Sequence, residues 1–497
     1  MVSHVCDRHA PGPVDRLPVV IQGGMGVGVS GWGLARAVSL AGGLGVVSGV
    51  GLDTLVARRL QLGDAGGHLR RALSAFPYPE VARRVLQRYF VAGGIGAHEA
   101  FAPAPMAVVR PGRRAVELAV VANFAEVFLA KEGHDHPVGV NYMEKLQMST
   151  PASVYGAMLA GVDYVLMGAG IPARLPALLD DFAEGRRGEL PVDVAGDGEP
   201  AITARFDPVA ALDTGVEAER STSPPARPRF LAVVSSHLLA AYLARDARTR
   251  PDGFVVEGPI AGGHNAPPRG RLVLDASGEP VYGPRDEADL AKMVALGLPF
   301  WMAGGYASPD ALGAALHAGA EGVQVGTAFA LSEESGLGPE LRRSLALRAE
   351  SGDLEVRTDP RASPTGFPLK VAELPGTAAE ASVRDGRRRV CDIGYLRVPF
   401  RSPEGVIGYR CPAEPLAAYV RKGGRAEEAS GRICLCNALI AAVGLGQRRR
   451  SGSVEPPITT IGGDLGFLPR LVDAVGPVPY PAAAVVRYLL SGVTAGR

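Results

Sequence analysis

Cysteine is scarce in this chain: five in 497 residues, four of them beyond residue 390. That excludes a disulfide-stapled secreted scaffold and makes a reducing cytoplasm the expected compartment. An excess of either charge is missing too. Lysine and arginine number 52 against 51 aspartates and glutamates, a net charge of +1. So balanced a chain is expected to bind neither nucleic acid nor a membrane surface. No uncharged apolar run reaches the roughly 18–20 residues of a membrane span. The opening stretch, MVSHVCDRHAPGPVDRLP, has no apolar core, so no secretory signal is expected.

Apolar residues, by contrast, make up 47 % of the chain, enough for a sizeable core. The 65 glycines and 41 prolines are spread between periodic segments and imply many turns. Short apolar runs alternate with helix-like runs through the first 335 residues. The runs are PVVIQGG (18–24), LGVVSG (44–49), HPVGVNYM (136–143), VDYVLMGAG (162–170), RFLAVVSS (229–236), GFVVEG (253–258), LPFWMAGG (298–305) and EGVQVG (321–326). Most are apolar throughout, as strands buried on both faces should be. Eight such strands with helices between them predict an α/β fold, a parallel (β/α)₈ TIM barrel. Ser30, Thr150 and Ser308 are candidate helix N-caps.

Two stretches exceed what one βα unit needs. Residues 50–135 are expected to insert extra helices, including a long one over 115–132. Residues 186–228, rich in Pro, Asp and Arg, are expected to be a surface insertion. After about 335 the alternation stops. The expected division is a barrel over 1–335 and an irregular C-terminal extension over 336–497, packed on it. Within the extension, QRRRSGSVEPP (447–457) and RAEEASGR read as solvated loops.

Chemistry gathers at the glycine-marked strand ends. Strand seven ends in Ala303-Gly304-Gly305 and strand eight in Gln324-Val325-Gly326-Thr327. In a barrel these ends are neighbours at one rim, where backbone N–H groups can cradle a phosphate and a Cβ would obstruct it. Strand six brings Gly262-Gly263-His264 to the same rim, and strand one brings Gly24-Met25. Asn141, ending strand three, can hydrogen-bond a ring. A flat, closely gripped ligand with a phosphate at strands seven and eight suits flavin mononucleotide (FMN). A histidine in a Gly/Pro loop is ordinarily just a loop residue; beside such a ligand its unperturbed pKa, about 6.5, suits a base.

Taken in order, GGM, GGLGVVSG, Asn141, AGGH, AGG and QVGT resemble the nitronate monooxygenase family, whose barrel is shared by FMN-dependent enoyl-acyl carrier protein reductases. The resemblance covers roughly 18–50 and 136–335. It implies a catalytic base at His264 and FMN phosphate contacts from Gly304, Gly305, Gln324, Val325, Gly326 and Thr327. Near the flavin ring it implies Gly24, Met25 and Asn141, with Gly262 and Gly263 in the AGGH loop. The chain departs from the family in its NAPPRG after AGGH, its 50–135 insertion and its long tail. The expected activity is oxidation of alkyl nitronates with O₂. The alternatives are NAD(P)H-dependent reduction of an enoyl thioester and a non-catalytic flavin-binding scaffold. The expected partners are a small-molecule substrate and O₂.

Cys391, Cys411, Cys434 and Cys436 put four thiols in the tail, enough for a zinc or iron–sulfur site. C-x-C is tighter than the usual C-x₂-C, and buried free cysteines are common, so no metal ligand is assigned. Lys145 and Glu333-Glu334 read as surface residues. His237 sits past strand five at the same rim, and Lys370 is placed by sequence only in the tail.

Overall fold

The computed structural model describes residues 16–196, 199–212 and 223–494. Cys6 and part of the 186–228 stretch lie outside them. Through residue 325 the strands are β1 (Val20–Gln22), β2 (Gly45–Ser48), β3 (Val138–Met143), β4 (Tyr164–Gly168), β5 (Gly188–Val192), β6 (Ile202–Phe206), β7 (Arg229–Val234), β8 (Gly253–Glu257), β9 (Phe300–Ala303) and β10 (Gly322–Val325). Eight of them form one parallel sheet in the order β1-β10-β9-β8-β7-β4-β3-β2. The ring closes because Ile21 bridges Leu44 in parallel, with Leu44 N–H donating to Val20 O at 2.8 Å and Gln22 N–H to Leu44 O at 3.0 Å. This is the expected (β/α)₈ barrel. Its interior is filled by Ile21, Leu44, Val46, Leu166, Val255 and Trp301. The Trp301 indole N–H donates to Pro18 O at 2.6 Å, so the ring can be fully buried without an orphaned donor.

The runs become strands because both faces are covered. β2 (GVVS) and β9 (FWMA) are buried at every position. The expected insertion over 50–135 contains the α-helices Leu52–Gln61, His68–Ser74, Pro79–Tyr89 and Arg113–Lys131. Two caps differ from expectation. Ser30 Oγ accepts from Met25 N–H and donates to Gly23 O, and Gly31 caps the helix instead. Thr150 is the first helical residue, with its hydroxyl donating to Leu146 O at 3.0 Å. Ser308 does cap its helix, accepting from Ala311 N–H at 3.1 Å.

The 186–228 stretch is not only surface. β5 and β6 pair antiparallel, and their alternation buries Leu190, Val192, Ala204 and Phe206. The tail is more regular than its composition suggests. β11 (Val356–Asp359) pairs with β12 (Leu369–Ala372), and β13 (Val398–Arg401) with β14 (Ile407–Arg410), both antiparallel. QRRRSGSVEPP is not simply solvated: Arg449 pairs with Asp392 and with the buried Glu455, which Arg387 also contacts. In RAEEASGR, Ala429 is buried and Glu428 accepts from the Tyr419 hydroxyl at 2.7 Å.

The last helix, Ala482–Thr494, packs against Trp32–Leu40 and Pro309–His317. These follow the first and seventh barrel strands, so the chain's end fills the eighth position of the outer helical ring. The lobe expected to begin at 336 is therefore inserted between the eighth strand and its ring helix.

Candidate cofactor and active site

The C-terminal ends of β1, β8, β9 and β10 surround one cavity of about 150 Å³. Gly24, Met25, Gly262, Gly263, Gly304, Gly305, Gln324, Val325, Gly326 and Thr327 all line it, as their positions after consecutive strands predict. Gly304 and Gly305 have φ of +89° and +83°, the left-handed region that side chains resist. Their turn brings bare backbone to the rim, and among the described residues no lysine or arginine lines the cavity. An anion held there would rest on neutral donors: backbone N–H groups, hydroxyls and the Gln324 amide.

The other wall comes from the extension. Thr460, Ile461, Gly462, Asp464 and Phe467 close the cavity opposite the barrel rim. Gly462 N–H donates to Thr327 Oγ1 at 2.9 Å, Gly463 N–H to Ile260 O at 2.9 Å, and Gly263 N–H to Thr460 Oγ1 at 2.8 Å. Gly262 suits this approach because an added Cβ would stand 2.7 Å from the Ile461 carbonyl carbon. On its far side the same loop pairs with β12: Lys370 N–H donates to Gly263 O and Asn265 N–H to Pro368 O, each at 2.9 Å. The AGGH loop is thus gripped from both sides by residues a hundred or more positions away.

His264 and Asn141 are not among the cavity-lining residues. Asn141 stands beside one that is, since an added Cβ on Gly24 would come within 2.4 Å of its Cβ. The His264 imidazole turns toward the extension, with Nε2 lying 2.7 Å from Ser363 Oγ. Ser363 is held in turn by Thr365 Oγ1 at 2.8 Å and by Arg432, which donates to its carbonyl. Burial pushes the imidazole pKa down to about 4. At neutral pH the ring is uncharged but far less basic than an ordinary histidine.

Glu257 ends β8 facing the cavity, and burial pushes its carboxyl up to about 8. A single acid closing an apolar strand was its only sequence signal. Lys370 is buried, its Nζ donating to Thr358 Oγ1 at 2.6 Å, and burial holds its pKa below the usual lysine value. Neither the pairing of β12 with the AGGH loop nor the Thr460–Asp464 wall has a local sequence signature. His237 Nδ1 accepts from Asp289 N–H at 3.1 Å, while Lys145 pairs with Glu144 and Asp193. Among the described residues no helix is long and apolar enough to cross a membrane.

Residues 218–364, from before β7 to just past Ser363, match the family model of nitronate monooxygenase. This segment resembles the nitronate monooxygenase family. Members of that family are flavin-dependent oxidoreductases, and the nitronate monooxygenase segment places this chain among such enzymes. It supplies the β8, β9 and β10 walls of the cavity, together with His264 and Ser363. A comparison with curated proteins found no match. Among solved structures, the chain is similar to FabK from Thermotoga maritima, at 17 % identity and TM-score 0.47 over 96 % of this chain and 93 % of that one. It is similar to a nitroalkane oxidase from Streptomyces ansochromogenes, at 15 % identity and TM-score 0.47 over 96 % and 97 %. The enoyl reductase domain of MlnA from Bacillus amyloliquefaciens follows at 11 % identity and TM-score 0.45 over 97 % and 95 %. At such scores these likenesses carry no argument about substrate.

Proposed function

We propose that this chain is an FMN-dependent oxidoreductase that oxidises alkyl nitronates with O₂. The observation that carries the reading is the cavity at the ends of β9 and β10, where Gly304, Gly305 and Gly326 leave backbone exposed beside the Thr327 hydroxyl. These groups would hold the phosphate, because a Cβ-free turn lets an anion reach backbone N–H donors. Glu257, protonated for most of its population at pH 7, would face the bound cofactor as a hydrogen-bond donor. FMN, when bound, would supply the two-electron redox chemistry. The protein would supply placement and proton handling.

In this scheme His264 is given a role other than that of a base. An imidazole with a pKa near 4 is a poor base for the carbon acid of a neutral nitroalkane. A nitronate has already lost that proton. When Ser363 donates to Nε2, the remaining ring proton sits on Nδ1, and the ring acts as an oriented donor. The substrate is therefore the preformed anion. The test is whether the purified yellow protein releases FMN on denaturation and consumes O₂ with propionate 3-nitronate or an alkyl nitronate. A colourless protein that cannot be reconstituted with FMN ends the reading.

A second reading, NAD(P)H-dependent reduction of an enoyl thioester, is favoured by apolar surface near the mouth. Ile260 lines the cavity yet is 45 % exposed. An acyl chain would find contact there. Rapid anaerobic bleaching of the flavin by NADPH, reversed by an enoyl thioester, selects this reading over the first.

A further inference from the structure

Glu257 lines two cavities. One is the cofactor cavity. The other, of about 20 Å³, is walled in part by the NAPPRG segment, where this chain departs from the nitronate monooxygenase pattern. Ser235, Asn265, Arg269, Tyr282 and Asp286 line it together with Glu257. A single water needs about 10–15 Å³ of such space.

Asn265 shows that something polar belongs there. The residue is 2 % exposed. Its Nδ2 donates to Ala261 O at 3.0 Å and its backbone N–H to Pro368 O at 2.9 Å, so the amide is fixed from two sides. Its Oδ1 is buried without a hydrogen-bond partner. Buried polar atoms are nearly always paired. An anion would offer Oδ1 no proton, whereas a water offers two.

The same water has partners on both sides. Glu257 can donate to it, since burial keeps this carboxyl protonated up to about pH 8. Tyr282 already donates its hydroxyl proton to Ala266 O at 3.1 Å, so toward the cavity the phenol accepts. Asp286 is half-buried and forms the outer end. Its two oxygens accept from Arg269 N–H at 2.7 Å and Gly283 N–H at 2.8 Å, which fixes the carboxylate and leaves further lone pairs.

We propose that Glu257 is a proton-relay residue, exchanging protons between the cofactor cavity and solvent through one water that Asn265 positions and Asp286 supplies. This rests on the flavin reading of the barrel cavity and not on the choice of substrate. O₂ becomes H₂O₂ by taking two electrons and one proton from the reduced cofactor and a second proton from Glu257. The Glu257 O–H bond breaks. The water then returns a proton to the carboxylate and regains one from solvent by way of Asp286. The other titratable or charged groups lining the two cavities are Tyr306 and Asp464 in the first and Arg269, Tyr282 and Asp286 in the second. Burial alone raises the Glu257 carboxyl, so none of these groups locks it in one state.

The test has two arms. The first is a crystal structure of the full chain at a resolution that shows ordered water. One water is expected within hydrogen-bond distance of Asn265 Oδ1 and the Glu257 carboxyl. A dry cavity overturns the proposal. In the second arm the FMN-loaded protein is photoreduced without O₂, then mixed with O₂ in weak buffer containing phenol red. Flavin absorbance reads reoxidation, and the dye reads proton uptake. In wild type the two should coincide. In Glu257→Gln uptake should trail reoxidation by about 10²-fold, and in Asn265→Leu by less. Asn265→Leu should keep its flavin, because Asn265 does not line the cofactor cavity. Uptake that keeps pace in Glu257→Gln overturns the relay. Should Asn265→Leu be insoluble, Glu257→Gln and the wild-type map decide. A colourless protein that cannot be reconstituted overturns the flavin reading and the relay with it. A yellow protein that fails either arm overturns the relay alone.

Discussion

His264 Nε2 lies 2.7 Å from Ser363 Oγ, joining the end of the sixth barrel strand to a residue 99 positions later in the extension. The contact sets the ring's direction, and with it the tautomer available to a substrate. Ser363→Ala removes it without enlarging a side chain. Turnover should fall about 2–13-fold, the value of one hydrogen bond to a neutral partner. FMN affinity should not change, since Ser363 does not line the cofactor cavity. Steady-state kinetics and a flavin titration on the same variant separate the two effects.

The depressed pKa of His264 makes stability depend on pH. In the unfolded chain the ring takes a proton near 6.5, while in the folded protein burial delays this to about 4. Between these values the unfolded state binds more protons, so this group costs stability as pH falls from about 6.5 toward 4, by order 2–3 kcal/mol. Glu257 acts oppositely. Its carboxyl, raised to about 8, stays protonated when folded, so its contribution is lost as pH rises from about 4.5 toward 8. Urea melts at pH 5 and pH 7 should therefore show less acid destabilisation in His264→Asn than in wild type. Equal loss in both proteins would sink the assignment.

Gly305→Val should abolish flavin retention. The position has φ of +83°, so the substitution is strained, and the new side chain would stand where a phosphate must approach. Flavin absorbance per chain after desalting measures this. Circular dichroism of the same sample checks that the barrel still folds.

Asp464 brings a carboxylate to the cavity wall, its Oδ2 only 3.7 Å from where a Gly305 Cβ would be. Among the described residues no lysine or arginine lines that cavity. A phosphate at Gly304-Gly305 would meet like charge. Asp464→Asn should tighten FMN binding about 2–10-fold at low salt and less at high salt. Riboflavin, which lacks the phosphate, should show no such gain. Equal effects on both flavins would place Asp464 at the ribityl chain or ring instead.

Trp301→Ala should destabilise the fold by about 3–5 kcal/mol. The indole is fully buried in the barrel interior, and Pro18 O would lose its donor. Chemical denaturation at neutral pH reads the change.

The eight barrel strands were legible because burial on both faces leaves a local trace, an unbroken apolar run such as FWMA closed by glycine. Strand order follows from right-handed parallel connection, so Gly262, Gly304, Gly305 and Gly326 could be assigned to one rim from sequence alone. The chemistry of His264 was not legible. A histidine's basicity is set by what covers it, and its cover, Ser363 and the strand Leu369–Ala372, comes from a segment whose composition carries no period. Nor could any local pattern assign the ring's eighth helix to Ala482–Thr494 or the cavity's second wall to Thr460–Asp464. Alternation and turn residues are written by neighbours along the chain. Contacts between distant segments are chosen only when the whole core closes, and here they decide the pKa of the histidine and the charge beside the cofactor cradle.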